Sequence, residues 1–252
     1  MTKMSALFKT MGWTKFRQMN QMILLELIAV AVTGIWTAIK GHFNLATLFY
    51  LTTSWSMLPY VVGFILLAVS TEKAYTADTF RLIPIEETRF YLMNLLSSLA
   101  VLVYFMIVQA VLYGLTLWLG WSRISGMLPP MMAVNTNVAT PVLVMLLVSL
   151  MTALLIWSTI SFVHLVTSAT SNFLPKFRQR ALNVVVYVIV IFITMRVAGF
   201  IVHGVAWFAR ITFNGTDLGQ FWLALAAMAV VILIESILNV FLLKKWVETA
   251  AN

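Results

Sequence analysis

Cysteine is absent from the chain, and that excludes disulfides, thiolate metal centres and cysteine nucleophiles together. Charge is scarce as well. Only 10% of the residues are Asp, Glu, Lys or Arg, and mean hydropathy is +0.98, so the polar groups present could not cover a soluble domain. There are three histidines, none paired at helical spacing with a Glu or another His, which leaves zinc chemistry without a ligand set. A phosphate-binding loop is missing too. Gly199 and Gly204 have the spacing of its two glycines, but Val205 and Ala206 stand where Lys and Ser or Thr are needed. No repeat, low-complexity tract or long polar segment marks a second domain.

What remains is long apolar runs. A helix needs about 20 apolar residues to cross roughly 30 Å of hydrocarbon. Six stretches meet that length: 22–39, 47–70, 92–119, 138–167, 182–208 and 219–243. They are continuous rather than alternating, which favours helices over an outer-membrane barrel. The expected fold is therefore an all-α membrane protein of six transmembrane helices.

The basic residues orient this bundle. Lys3, Lys9, Lys15, Arg17, Lys73, Arg81, Arg89, Lys176, Arg178, Arg180, Lys244 and Lys245 fall on one side, against Lys40, Arg123 and Arg210 on the other. By the positive-inside rule both termini and the second and fourth loops are cytoplasmic, in a multi-pass protein of the inner (plasma) membrane. The formal charge of +8 is thereby a topology signal, and nucleic acid is not an expected partner. Residues 1–21 carry Met4, Leu7, Phe8 and Met11 at helical spacing among basic residues, which predicts an amphipathic helix on the inner surface. No cleavable signal is expected there, and residues 22–252 form one membrane domain.

Three ionisable residues fall inside predicted spans. Glu26 lies a few residues into the first and is expected to reach the interface. Arg196 lies near the middle of the fifth and Glu235 in the inner half of the sixth, and a pair between them would relieve two charges in hydrocarbon.

The segment from Thr71 to Tyr91 stands apart. Seven of its twenty-one residues are charged, yet Phe80, Leu82, Ile83, Ile85, Phe90 and Tyr91 are apolar, so it is expected to pack against something. Its core, Leu82-Ile83-Pro84-Ile85-Glu86-Glu87-Thr88-Arg89, followed by a return to apolar sequence, resembles the loop between the second and third spans of ABC type 2 exporter permeases. The N-terminal amphipathic helix resembles the elbow helix of that family, and the short outer segments set the chain apart from its large-ectodomain members.

The resemblance implies that Pro84, Ile85, Glu86, Glu87 and Arg89 form a cytoplasmic coupling helix docked on a separate ABC ATPase subunit. A second permease subunit, the same or related, would complete the transporter in the bilayer. The chain itself would bind no cofactor or metal and would not be an enzyme. An amphipathic or hydrophobic peptide or drug is the implied cargo. In that helix, Pro84 would occupy the first turn and the acids would sit at the positive end. Two alternatives are a non-transporting scaffold or sensor subunit and an intramembrane enzyme. Glu86-Glu87 is similar to the Glu-Glu-x-x-x-Arg of intramembrane prenyl-protein proteases, but Arg89 comes two positions early and Tyr91 occupies the required place.

Overall fold

The computed structural model describes residues 4–76, 85–125, 139–171, 184–185, 187–192, 196, 199 and 217–245. Five long helices carry nearly all of them: α1 (Met4–Ile39), α2 (Leu45–Thr76), α3 (Glu87–Ile124), α4 (Ala139–Ser171) and α5 (Asp217–Lys245). All five are long and apolar enough to cross a membrane, with hydropathy between 1.5 and 2.4 over their most apolar windows. The architecture is that of a multi-pass helical membrane protein. Most of the fifth predicted span, 182–208, lies outside the described residues, and those described between 184 and 199 are helical.

Large apolar side chains such as Val32, Trp36, Met57, Trp118 and Met145 are well exposed. In water such surface would drive aggregation, whereas lipid tails accept it at no cost.

Each helix buries one stripe. In α1 the buried positions are Leu7, Met11, Lys15, Met19, Ile23 and Glu26, spaced four, four, four, four and three residues apart. In α2 they include Thr52, Ser56, Gly63, Leu67, Thr71 and Tyr75. These intervals track the 3.6-residue period, so one face of each helix meets protein and the other is left for lipid.

The described part of the predicted 1–21 helix, residues 4–21, is continuous with the first span, since α1 runs unbroken from Met4 to Ile39. At 1.5 Å per residue it is about 54 Å long, well beyond the hydrocarbon thickness. No proline interrupts it, and its buried stripe runs on across residue 21, from Leu7 to Glu26. Nor do the described residues of the coupling segment form a separate helix. Ile85 and Glu86 precede α3, Glu87 is its first residue, and the Phe90 amide donates to the Glu86 carbonyl at 3.0 Å. Pro84 lies outside the described residues.

By contacts the chain divides into two compact units, Thr2–Thr71 with Leu96–Val138 and Glu72–Leu95 with Ala139–Asn252. In the first, α1 and α2 form a hairpin closed by its own backbone. Gly41, at φ +73°, takes the left-handed conformation that an L side chain resists. Its amide donates to Ala38 at 3.0 Å and the His42 amide to Thr37 at 3.0 Å, the paired bonds of a Schellman C-cap. Asn44 then caps α2: its Oδ1 accepts from the Thr47 amide at 2.9 Å, and its own amide donates to Thr47 Oγ1 at 3.2 Å.

The start of α2 meets the end of α3 at Gly120. A Cβ built there would lie 3.0 Å from the Ala46 Cα and 3.2 Å from the Leu45 carbonyl oxygen, both backbone atoms that cannot swing aside. Gly120→Val is expected to part these helix ends and destabilise the protein by about 2 kcal/mol, the usual scale for overpacking. Thermal unfolding of the purified variant in detergent measures this, and an unchanged midpoint would show that the contact yields freely.

A buried polar core between α4 and α5

In the second unit α4 and α5 pack against each other along much of their length. Leu225, Glu235, Asn239 and Leu243 are the buried positions of α5, the last three at four-residue intervals on one face. On α4, Ala153, Trp157, Ser158 and Ser161 are buried, and Ser158 meets Asn239. The seam is thus apolar at its ends and polar in its middle, inside helices otherwise built for lipid.

Asn239 is fully buried and makes two donations from one amide nitrogen. One reaches the Ser158 carbonyl oxygen at 3.0 Å, the other the Tyr91 hydroxyl at 3.1 Å, so a single side chain ties α5 to α4 and to the first turns of α3. Tyr91 in turn lies 3.5 Å from Ser236 Oγ and stacks on Tyr75 with ring centroids 5.7 Å apart. One turn above Asn239, the Glu235 carboxylate accepts from Thr159 Oγ1 at 2.9 and 3.1 Å. Farther along α4, Ser161 donates to Glu72, and His164 Nδ1 lies 3.2 Å from the Tyr187 hydroxyl. In hydrocarbon each such group would otherwise cost several kcal/mol, which is why they gather together.

The expected Arg196–Glu235 pair does not form. Glu235 meets no Lys or Arg among the described residues, and Arg196 is exposed with its guanidinium 5.1 Å from the Phe192 ring centroid. Glu235 instead accepts from the single Thr159 hydroxyl on the facing helix, shared between its two oxygens. His203 lies outside the described residues, so its placement relative to His164 does too.

Glu26 also departs from expectation. It is 2% exposed rather than reaching an interface, and Gln109 Nε2 donates to its Oε2. That pair sits in the first unit, where Lys15 is equally buried at 2% and donates to Ser97 Oγ at 2.8 Å and Ser98 Oγ at 2.7 Å. Lys15 therefore belongs to the packed stripe of α1 and not to a surface-lying basic face. An apolar groove of about 290 Å³ beside it is lined by Phe8, Gly12, Trp13, Phe16, Val101 and Tyr104, with Lys9 as a charged neighbour.

In the coupling segment, Glu86 and Arg89 are exposed and paired with each other at 3.3 Å. Phe90 and Tyr91, in contrast, are buried. The aromatics anchor the start of α3 while Glu86, Thr88 and Arg89 face outward.

Thr159, Ser158, Asn239, Gln109 and Lys15 escaped the reading of single charges. The available signal was periodicity: Glu235 and Asn239 are four apart in an apolar run, as Leu7, Met11, Lys15 and Met19 are in another. No group of three His, Cys, Asp or Glu among the described residues is placed to hold a metal ion. No family model, curated protein or solved structure matches this chain.

Proposed function

We propose that this chain is the membrane-spanning subunit of an ABC-type exporter, moving an amphipathic or hydrophobic substrate outward with ATP hydrolysed by a partner. The observation that carries the reading is the polar seam between α4 and α5. Polar and ionisable groups held inside membrane helices are costly and mark pathways more often than packing alone requires. The segment around Glu86 supports it from sequence, through its resemblance to the coupling loop of ABC type 2 permeases. Two permease copies, the same or related, and two ATPase subunits complete the assembly.

Purification of the full chain from its native membrane tests this directly. An ATPase subunit carrying a phosphate-binding loop is expected to co-purify, with hydrolysis stimulated by amphipathic peptides. Recovery of the chain without any ATPase would leave the scaffold reading in its place.

The proposed orientation has both termini in the cytoplasm, on the strength of the distribution of Lys and Arg. Because the chain lacks native cysteine, single Thr2→Cys, Ala77→Cys, Gln179→Cys and Ala250→Cys variants are expected to resist an impermeant thiol reagent in intact cells. Asn44→Cys, Ser125→Cys and Thr216→Cys are expected to react. Labelling of Ala77→Cys from outside would invert or redraw the topology.

A further inference from the structure

The polar seam is unbalanced in a specific way. Glu235 offers a carboxylate that meets no Lys or Arg among the described residues. Asn239 is 0% exposed, spends its amide nitrogen on Ser158 and Tyr91, and leaves Oδ1 without a hydrogen-bond partner. Ser158 is also 0% exposed; its Oγ is next to the Glu235 carboxylate but outside hydrogen-bond geometry, and no other partner satisfies it. Ser158 thus touches both α5 residues, one through its carbonyl and one beside its hydroxyl, so the three groups form one cluster. The cluster holds more acceptor positions than donors: the Asn239 amide hydrogens are committed to Ser158 and Tyr91, and the Ser158 hydroxyl has a single proton to offer. Buried acceptors without donors call for a ligand that brings protons or positive charge.

We propose that the Glu235, Asn239 and Ser158 cluster binds the cationic head of an amphiphile, an alkylammonium group whose apolar tail stays among the membrane helices. An ammonium carries three donors and one positive charge, which suits a carboxylate, an amide oxygen and a hydroxyl oxygen together. A neutral or anionic head offers no such match. Taken as a substrate site, this rests on the export reading above and narrows the cargo to cationic amphiphiles.

The test uses the full chain in nanodiscs of zwitterionic lipid, with radiolabelled dodecylammonium and dodecanol as probes of equal chain length. The wild type is expected to bind the ammonium about tenfold more tightly than the alcohol, the ratio supplied by one hydrogen bond to a charged group. In Glu235→Gln, where the amide oxygen can still accept from Thr159, that preference is expected to vanish while dodecanol binding stays the same. A second measurement needs no variant. Dodecylammonium is expected to protect Glu235 from dicyclohexylcarbodiimide, as located by mass spectrometry, and dodecanol is not.

Equal binding of the two probes by the wild type, a preference that survives in Glu235→Gln, or equal protection by dodecanol would each overturn the proposal. No ATPase enters these measurements. A charge-blind site in a chain that co-purifies with an ATPase removes only the cation inference, and a chain that prefers ammonium but recruits no ATPase removes only the export reading.

Discussion

Gln109→Leu is expected to cost about 3 kcal/mol and to remove most of the folded protein, because it strips a buried carboxylate of its donor. Glu26 sits on the packed stripe of α1, 2% exposed, and Gln109 on α3 is 0% exposed. Leucine is an apolar side chain of similar volume, so most of the loss comes from the hydrogen bond. The companion Glu26→Leu, Gln109→Leu double variant is expected to recover most of that loss, since two apolar groups then meet where a polar pair did. Fluorescence-detected size exclusion and thermal unfolding of the three variants supply the cycle. If the single substitution is silent, the carboxylate has another source of stabilisation and the pair is dispensable.

The second large effect concerns function. In the proposed exporter the Glu86→Lys, Glu87→Lys double variant is expected to lose substrate-stimulated ATP hydrolysis while the membrane domain stays folded. Glu86 is exposed and pairs with Arg89 on the same turn, a surface pair worth little to stability. Glu87, in the first turn of α3, adds at most a small helix-end term. The fold stands instead on Phe90 and Tyr91 just behind, which are buried. Charge reversal here therefore reports on docking and not on collapse. Wild-type assembly and stimulation in the variant would remove both acids from the proposed interface.

How much of this was legible before the coordinates varies by element. The apolar runs 47–70, 92–119, 138–167 and 219–243 gave the positions of α2 to α5 to within about six residues, because hydrocarbon imposes a length and lipid imposes a composition. Helix continuity was less visible. Residues 4–21 read as a separate surface helix, since basic residues suggest solvent, yet Lys15 falls in phase with Leu7, Met11 and Met19 and is drawn inward by two serines on α3. The start of α3 was legible as a packed segment from its apolar residues, but that Phe90 and Tyr91 pack on Tyr75 was not.

Partners of the intramembrane charges were the least legible of all. Opposite charge suggested Arg196 for Glu235, whereas the carboxylate is served by a neutral hydroxyl from Thr159. Serine and threonine in an apolar run carry little weight in a hydropathy sum. They become decisive only once a facing helix places a carboxylate or an amide against them.

The turn between α1 and α2 bears on how the chain is made. Gly41 ends one helix with its own carbonyls answered, and Asn44 with Thr47 opens the next with its own amides answered, all within residues 37–47. No later segment has to arrive before that bend is complete. A nascent chain emerging from the ribosome thus presents α1 and α2 as a self-contained loop, one whose tip asks nothing of the bilayer for its backbone groups. The bend between α1 and α2 is in this sense prefabricated, its backbone groups answered within the segment itself.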